Sequence, residues 1–477
     1  MHFFWPYFSF LLVAVSGSQN PSLAQQNKFV ANVLEYKPAP GQFINTPYGN
    51  PSSAQSLIGG VSGTLSLGGF GGYVVVGFDY RIENHPENPY GVDFTILGNA
   101  SPNSSEPAAV YVMKDVNQNH LPDDTWYLLA GSDYYFSTSH TDYQVTYTNP
   151  NSLSAADVPW TDIFGNAGLI EANSFHTQLY YPLHDSFPEI PSQQYALTGL
   201  LVQPRIDKSD PAFVAVQVCP FGFADNSPRN LNYVGWEPNN PYTAIIEGSG
   251  GDGFDISWAV DSGGKSVDLD GIDFIKIQTA VNASAGWLGE LSPEILGVVD
   301  VAPDISITGT QQMLVIEPLF RNLKTDEAIY LKAYYFVSGK PVENPSVIFS
   351  LNKNDIASIA ESGEMQALKP GQVTVYARLS GDASIMDSLE IFIENPIYAS
   401  ETLEKEANFF PNPAREFIQF SENQWVGELQ LINILGQRWV LKQESNNQFY
   451  LSDLPSGLYT IYYQVNGLVK STKLIKN

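Results

Sequence analysis

The chain has 477 residues and carries 50 acidic against 23 basic residues, a formal charge of −27 at pH 7. This balance argues against nucleic acid as a partner, because binding to a phosphate backbone requires clustered basic residues. The single cysteine, Cys219, excludes an internal disulfide, so buried apolar surface or bound cations must stabilise the fold.

The N-terminus predicts export. Phe3 to Val15 is an apolar run too short to span a bilayer, and Ser22-Leu23-Ala24 supplies the small residues that a signal peptidase requires at its cleavage point. Neither lysine nor arginine precedes the apolar run, which departs from the usual charged start. We predict a signal peptide at residues 1–24 and a mature chain that begins at Gln25.

Residues 25–301 predict a large all-β domain. Runs typical of strands are separated by clusters of Asn, Asp, Gly, Pro and Ser, and no segment keeps a helical period over several turns. The runs are Tyr73 to Phe78, Val110 to Met113, Tyr143 to Tyr147, Phe213 to Val218 and Asp273 to Thr279. This pattern indicates an all-β fold whose first domain is a large jelly-roll-like β-sandwich.

The sharpest chemical signal is the loop 115–124, which reads Asp-Val-Asn-Gln-Asn-His-Leu-Pro-Asp-Asp. Oxygen atoms at alternate positions can wrap one hard cation, so this spacing predicts a Ca²⁺ site. The run resembles the calcium loops of thrombospondin type 3 repeats, although His120 replaces a glycine and Trp126 stands at the twelfth position instead of a carboxylate. The alternative is a polar hairpin loop whose Asn and Asp side chains cap their own backbone. The predicted ligands are Asp115, Asn117, Asn119, Leu121, Asp123 and Asp124.

A second acidic region spans Asp252 to Asp273, where turn residues at the ends of strands are a simpler explanation than a site. Alternation from Phe254 to Val260 predicts one half-buried strand, with Asp255 and Ser257 on one face and Trp258 on the other.

Evidence for catalysis is sparse. The sequence contains no Gly-x-Ser-x-Gly motif and no histidine pair at helical spacing. Glu106, Glu290 and Glu294 are candidates for the acid and nucleophile of a glycosidase, but the sequence alone does not bring any two of them together.

Six short motifs between residues 93 and 290 resemble a family of uncharacterised Bacteroidetes cell-surface proteins. They are Asp93-Phe94 with Gly98-Asn99-Ala100, Ser105-Glu106-Pro107, Leu121-Pro122-Asp123-Asp124-Thr125-Trp126-Tyr127, Asn173-Ser174-Phe175-His176, Ala224-Asp225-Asn226 and Gly286-Trp287-Leu288-Gly289-Glu290. The resemblance implies a place at the cell surface beside nutrient-uptake proteins. Some relatives are similar to surface cobalamin-binding proteins.

Residues 302–395 predict a second β-domain. Val347-Ile348-Phe349-Ser350, Ala367-Leu368-Lys369-Pro370-Gly371 and Val373-Thr374-Val375 resemble the bacterial Ig-like domains of group 2. The Lys-Pro-Gly turn has a physical reason, since proline fixes one backbone angle and glycine permits the other. The resemblance implies an Ig-like sandwich that acts as a spacer.

A linker predicted at 396–408 precedes the last domain, residues 409–477. This segment carries Phe410-Pro411-Asn412-Pro413, Ile434-Leu435-Gly436-Gln437, Leu454-Pro455-Ser456-Gly457-Leu458-Tyr459 and a final run from Lys470 to Lys476. It resembles the type A C-terminal sorting domain of the type IX secretion system of Bacteroidetes. Asn466-Gly467 additionally predicts a tight hairpin turn. The resemblance implies a small β-sandwich, the secretion machinery as partner, and a secreted or cell-surface location reached through the periplasm.

The sequence therefore predicts an exported binding protein that captures a nutrient or glycan ligand at the cell surface, with a cobalamin among the candidates. Flat aromatic platforms for such a ligand could come from Trp126, Trp160, Trp236, Trp258 and Trp287. Several of these tryptophans must belong to the core, so the sequence assigns a contact role to none of them. Two alternatives remain open: an adhesin or structural surface protein without a small ligand, and a glycan-active hydrolase.

Overall fold

The computed structural model describes residues 27–207, 214–317, 323–394, 409–420, 428–433, 437–442, 448–452, 454–465 and 468–477. The predicted signal peptide and the predicted linker at 396–408 lie outside these residues. The chain divides into two compact units, one up to residue 395 and one from residue 396 onward. Among the described residues, no helix has the length and apolar character that a membrane crossing requires.

The first part of the first unit, residues 27–301, is built from strands with short helical turns between them. The strands are β1 (Asn32–Lys37), β2 (Leu65–Ser66), β3 (Tyr73–Glu83), β4 (Phe94–Gly98), β5 (Ala108–Met113), β6 (Trp126–Leu129), β7 (His140–Thr148), β8 (Val158–Asp162), β9 (Ala167–Ile170), β10 (Gln194–Leu201), β11 (Arg205–Asp207), β12 (Ala215–Gln217), β13 (Asp252–Phe254), β14 (Ala259–Val260), β15 (Gly271–Thr279) and β16 (Glu294–Asp300). The helical pieces are α1 (Pro51–Ala54) and the 3₁₀ turns Gln55–Leu57, Pro89–Gly91, Ser132–Tyr135, Ile256–Trp258 and Gly286–Leu288.

Three sheets contribute to the main core of this part. Their strand orders are β1-β3-β15-β5-β6-β14, β13-β4-β16-β2 and β10-β7-β8-β9, with antiparallel pairing throughout. Alternation along β3 sends Val74 and Val76 into the core, and Val145 of β7 joins them from the third sheet. From the second sheet, the rings of Phe94 and Phe254 stack at 5.4 Å and join the same core. The predicted all-β fold with a large jelly-roll-like sandwich is confirmed.

Asp255 interrupts the strand predicted over residues 254–260. Its side chain accepts a hydrogen bond from the backbone N–H of Ser257 at 2.7 Å, which starts the 3₁₀ turn Ile256–Trp258. The chain therefore forms two short strands, β13 and β14, on either side of a turn. The prediction of one continuous strand was wrong, because the cap competes with strand pairing.

Asp93 fixes the entry of the chain into β4. Its Oδ1 accepts hydrogen bonds from the backbone of His85 at 3.1 Å and from the Asn88 side chain at 2.8 Å. Its Oδ2 accepts the backbone N–H of Ile256 at 2.8 Å. Burial, together with the charge of Asp255, raises the pKa of Asp93 to about 8.

Stability should fall as the pH rises through the range in which Asp93 titrates. Its folded-state pKa of about 8 lies above the ordinary value of 3.8, so the folded state binds more protons than the unfolded chain between these values. This contribution is fully present below the unfolded-state pKa and is lost as the pH rises through the folded-state pKa. We expect the unfolding free energy, measured by urea denaturation from about pH 5 to pH 8, to decline less steeply in Asp93→Asn than in wild type. The exposed Asp79→Asn change is the control, and equal slopes in all three proteins would contradict the prediction.

The second part of the first unit, residues 302–394, is a smaller set of antiparallel sheets with one parallel pair. Its strands are β17 (Gln312–Ile316), β18 (Leu323–Lys324), β19 (Ala328–Tyr330), β20 (Ala333–Val337), β21 (Lys340–Pro341), β22 (Val347–Leu351), β23 (Ala357–Ile359), β24 (Glu364–Ala367), β25 (Gly371–Leu379) and β26 (Asp382–Glu394). Alternate residues of β25, Val373 and Val375, are fully buried in a core of their own. The predicted Lys-Pro-Gly turn ends at Gly371, whose φ of +148° favours glycine.

This smaller part also contributes to the core of the first part. Phe336 of β20 is fully buried, and its ring lies 5.1 Å from that of Phe221 and 5.6 Å from that of Tyr135. The Ser137 backbone donates a hydrogen bond to Glu317 at 3.0 Å. Residues 302–394 therefore pack directly against the larger sandwich, and the domain boundary placed at residue 302 stays a prediction.

The second unit has its own small core. Its strands are β27 (Phe409–Phe410), β28 (Phe417–Phe420), β29 (Glu428–Asn433), β30 (Arg438–Lys442), β31 (Gln448–Tyr450), β32 (Gly457–Val465) and β33 (Leu468–Lys476). They form the sheets β27-β28-β31 and β30-β29-β32-β33, which bury Phe420, Leu431 and Ile461 completely. Val465 pairs with Leu468, so two residues connect β32 and β33. The predicted hairpin is confirmed in its strands, while its turn residues lie outside the described part of the chain.

Candidate ligand pocket and buried carboxylate cluster

A pocket of about 330 Å³ forms where five segments that are distant in sequence meet. They are the loop at 42–43 after β1, the β4–β5 connection at 103–106, the loop at 173–176 after β9, residues 214–216 at β12, and the β15–β16 connection at 285–291. Three of these segments carry motifs of the predicted surface-protein resemblance. The volume lies at the lower end of the range of small-molecule sites.

Gln42 connects three walls of this pocket. Its Nε2 donates to the Leu288 carbonyl at 2.8 Å, and its Oε1 accepts from the Asn173 amide at 2.8 Å. Its backbone N–H donates to the Glu290 carboxylate at 2.6 Å. Because all three bonds involve one largely buried residue, the walls keep a fixed separation and the pocket is formed in advance of any ligand.

Gly289 allows the 285–291 wall to approach Gln42. Its φ is +93°, and a Cβ atom placed there would lie 2.8 Å from the Gln42 Nε2. The Gly289 carbonyl also accepts the backbone N–H of Ala285 at 2.9 Å, which closes the loop on itself. The positive φ and the lack of space for a Cβ atom therefore both explain why glycine stands at position 289 of the Gly-Trp-Leu-Gly-Glu motif.

The open side of the pocket is apolar and aromatic. The Phe175 side chain is 75% exposed and Leu288 is 40% exposed, whereas Val216 behind them is buried. The ring of His176 packs edge-on against Phe43, with centroids 4.8 Å apart. An exposed aromatic ring above an apolar wall provides a contact surface for the flat face of a ligand.

Three carboxylates meet at the base of the pocket. Glu106 lines the pocket and is half-buried, while Asp225 and Glu294 lie behind it and are buried. One oxygen from each of the three carboxylates lies within 4.8 Å of the others. The backbone N–H of Ser292 donates to Glu106 at 3.3 Å. We call Glu106, Asp225 and Glu294 the carboxylate cluster.

Backbone geometry holds the two buried members of the cluster in place. Asp225 has a φ of +52°, and its carboxylate accepts the backbone N–H of Ala100 and that of Glu294, each at 2.8 Å. The Asn99 amide donates to Glu294 Oε2 at 3.0 Å. Asp225 thus links β4, which ends at Gly98, to the start of β16.

The cluster is electrostatically unfavourable when it is fully ionised. Burial raises the pKa of Asp225 to about 7 and, together with the charge of Asp225, that of Glu294 to about 8. Burial and the charges of the other two members raise the pKa of Glu106 well above its ordinary value. Near neutral pH the cluster therefore requires a proton or a cation to balance its charge.

In the predicted calcium loop, Asp115 is buried and faces the loop backbone. Its carboxylate accepts the backbone N–H of Asn119 at 3.2 Å and that of His120 at 2.9 Å. The positive φ of both Gln118 and His120 lets the chain turn this tightly. These are the contacts that the capping alternative requires.

Two of the remaining predicted ligands of the loop, Asn117 and Asn119, contact Asp123. Its carboxylate accepts the side-chain amides of Asn117 at 3.1 Å and Asn119 at 2.9 Å. Asp124 instead caps the backbone N–H of Val116 at 2.9 Å. The Leu121 backbone N–H donates to Asn119 Oδ1 at 2.8 Å. The oxygen-rich set of predicted ligands fits Ca²⁺ chemically, and the calcium site stays a prediction.

The acidic region at 252–273 consists of structural contacts. Asp270 forms an ion pair with Lys114 at 2.6 Å, and Asp273 forms one with Arg81 at 3.0 Å. Asp261 accepts two backbone N–H groups within its own turn. The turn interpretation therefore describes these residues better than a binding site does.

Only some of the candidate tryptophan platforms are accessible. Trp258 is 2% exposed and its ring lies 5.1 Å from that of Phe221, so it is one of the tryptophans that belong to the core. Trp126 and Trp160 are partly buried against core clusters, and Trp236 packs edge-on with Phe29 at 5.3 Å. The Trp287 side chain lies outside the described part of the chain. Phe175, which the sequence suggested only as part of a motif, is the exposed ring at the pocket.

The structure joins two of the three glutamates that the sequence suggested as a catalytic pair. Glu106 and Glu294 are neighbours, whereas Glu290 is held by Gln42 outside the cluster. Sequence reasoning missed Asp225 as the third member. Its place in the Ala224-Asp225-Asn226 motif was the available signal.

Comparison with known proteins identifies the last domain. Residues 408–477 match the secretion system C-terminal sorting domain. This match confirms the predicted sorting domain and indicates export to the cell surface or secretion, with the secretion machinery as a partner. No curated protein matches the chain.

Solved structures offer only distant similarity. Domains 4 and 5 of the S-layer protein SbsC are 7% identical, with 35% of this chain and 98% of that chain covered and a TM-score of 0.15. The Escherichia coli adhesin FdeC is 11% identical, with 46% and 80% covered and a TM-score of 0.16. Extracellular domains 3–5 of Drosophila OTK are 10% identical, with 45% and 82% covered and a TM-score of 0.20. These scores are too low to support a functional argument.

Proposed function

We propose that this protein is an exported surface-binding protein that captures a small nutrient or glycan in the pocket beside Phe175. The observation that carries the proposal is the combination of an exposed aromatic ring, an apolar wall and one accessible carboxylate, Glu106, in a pocket that Gln42 holds open. Apolar walls with a few fixed polar groups are typical of small-molecule sites.

Sugars suit these groups chemically. The apolar face of a pyranose ring can stack on Phe175, and its hydroxyls can donate to the Glu106 carboxylate. The volume of about 330 Å³ favours a monosaccharide-sized group over a whole cobalamin, which could insert only one edge. Captured ligand would then pass to uptake proteins of the same surface.

Capture is favoured over hydrolysis because a glycosidase requires two carboxylates that flank the scissile bond. Among the described residues that line the pocket, Glu106 is the only carboxylate, and Glu294 lies buried behind it. The adhesin alternative leaves the preformed pocket without a role.

A titration of the full chain with a glycan panel and with cobalamins tests the proposal. Tryptophan fluorescence would report binding, and chromatography of the same samples would report product. We expect saturable binding without turnover, weakened roughly fivefold by Phe175→Ala, since a stacking contact is worth about 1 kcal/mol. Phe164→Ala, which removes an exposed ring outside the pocket, should bind normally. Turnover would favour the hydrolase, and no response to any compound would favour the adhesin.

We also propose that the loop 115–124 binds Ca²⁺, on the basis of its oxygen-only donor set. Hydrogen–deuterium exchange of the peptide covering this loop should slow when calcium replaces chelator, because the ion would fix the turn. The effect should disappear in Asp123→Ala/Asp124→Ala and persist in Asp142→Ala, a control at an exposed position on β7. Identical exchange in chelator and in calcium would leave only the capping role.

A further inference from the structure

We propose that the carboxylate cluster, Glu106, Asp225 and Glu294, is a second divalent-cation site that takes Ca²⁺ and is separate from the loop 115–124. The proposal does not depend on the identity of the pocket ligand.

The three carboxylates lie close enough together to bind one ion. The three carboxylate oxygens lie within 4.8 Å of one another. Calcium binds oxygen at 2.3–2.6 Å, so two ligands on opposite sides of one ion are roughly 4.6–5.2 Å apart. A single ion can therefore contact all three carboxylates without rearrangement of the backbone.

The cluster contains a buried oxygen atom that lacks a hydrogen-bond partner among the described residues. Glu294 is 5% exposed, and its Oε1 accepts no hydrogen bond in the described part of the chain. Ser66, Asn99 and Glu106 surround this carboxylate, yet only Oε2 receives a well-formed hydrogen bond, from Asn99. A buried carboxylate oxygen without a donor is costly, and a cation would satisfy it.

The negative charge of the cluster also favours a bound cation. Among the described residues, no lysine, arginine or histidine forms an ion pair with any member of the cluster. The charges that act on Glu106 and Glu294 are those of other cluster carboxylates, and the buried carboxylate of Asp252 also interacts with Asp225. This repulsion is not offset by an ion pair with a basic side chain in the described part of the chain. Buried charges are normally paired or coordinate a metal.

The cluster borders the pocket on one side. Glu106 is half-buried and lines the pocket, so an ion can enter from the solvent side while Asp225 and Glu294 receive it from below. Oxygen ligands suit Ca²⁺ rather than Zn²⁺, which prefers nitrogen and sulfur. The remaining coordination positions would be taken by water on the pocket side.

Isothermal titration calorimetry of the full chain with CaCl₂ after chelator treatment tests the site. The Asp123→Ala/Asp124→Ala chain serves as the parent, so that the loop does not contribute. We expect the parent to bind one calcium ion. Glu294→Gln should lower its affinity at least tenfold, and Glu83→Gln, an exposed control, should leave it unchanged.

Circular dichroism would establish whether each variant is folded. If Glu294→Gln is not folded, Glu106→Gln, at the half-buried position, is tested in its place. Weakened calcium binding by either folded variant supports the site. A parent that binds no calcium, or folded cluster variants that bind it as tightly as the parent, would overturn the proposal.

Discussion

A chain that ends before Pro411 is expected to remain in the periplasm. Residues 408–477 match the secretion sorting domain and belong to a compact unit with its own core. Their removal therefore deletes the export signal and takes no residue from the core clusters of the first unit. Cell fractionation followed by immunoblotting should find the full chain at the surface or in the medium and the shortened chain in the periplasmic fraction.

Two point variants make this test specific. Leu431→Asp places a charge in the core of the second unit and should reduce export strongly, because burying an unpaired charge unfolds a small domain. Val440→Asp, at an exposed position of β30, should be exported normally. Arrival of the shortened chain at the surface in wild-type amounts would show that export uses another signal.

Phe336→Ala is expected to lower the unfolding free energy of the first unit strongly. Phe336 is fully buried among Phe221, Tyr135 and Tyr334, where residues 302–394 meet the larger sandwich. Removing such a ring typically costs about 3–5 kcal/mol through lost burial and the remaining cavity. Urea denaturation followed by tryptophan fluorescence would measure the loss, because Trp258 lies in the same core.

Phe392→Ala provides the matched control for this change. Phe392 belongs to β26 in the same part of the chain but is 48% exposed, so its loss should cost about 1 kcal/mol or less. If the two variants were equally stable, the shared core would contribute little, and residues 302–394 would act as an independent spacer.

Elements with strong local signals were predictable from the sequence. Strict alternation in β25 and the turn ending at Gly371 identify a strand and its start without tertiary information. The sorting domain was recognisable partly because Pro411 and Pro413 stand between β27 and β28 and Pro455 stands just before β32, and turn chemistry is local. The strand error near Asp255 arose because a side-chain cap competes with pairing, which alternation does not detect.

The pocket and the carboxylate cluster depend on contacts that no local pattern records. Glu106, Asp225 and Glu294 are far apart in the sequence and meet only because β16 pairs with β4 and Asp225 bonds to the backbone of both neighbouring segments. Trp258 was similarly ambiguous, since a tryptophan beside a turn can face solvent or the core. The contact between the Trp258 and Phe221 rings shows that Trp258 faces the core, and the sequence does not reveal that contact.

The most direct test of the proposed capture function is a crystal structure of the full chain bound to the saccharide or cobalamin that binds it most tightly. The proposal predicts ligand density in the pocket between Phe175 and Leu288, within contact of Glu106. Ligand density elsewhere, such as in the polar cleft lined by Tyr181 and His184, with an empty pocket beside Phe175, would contradict it.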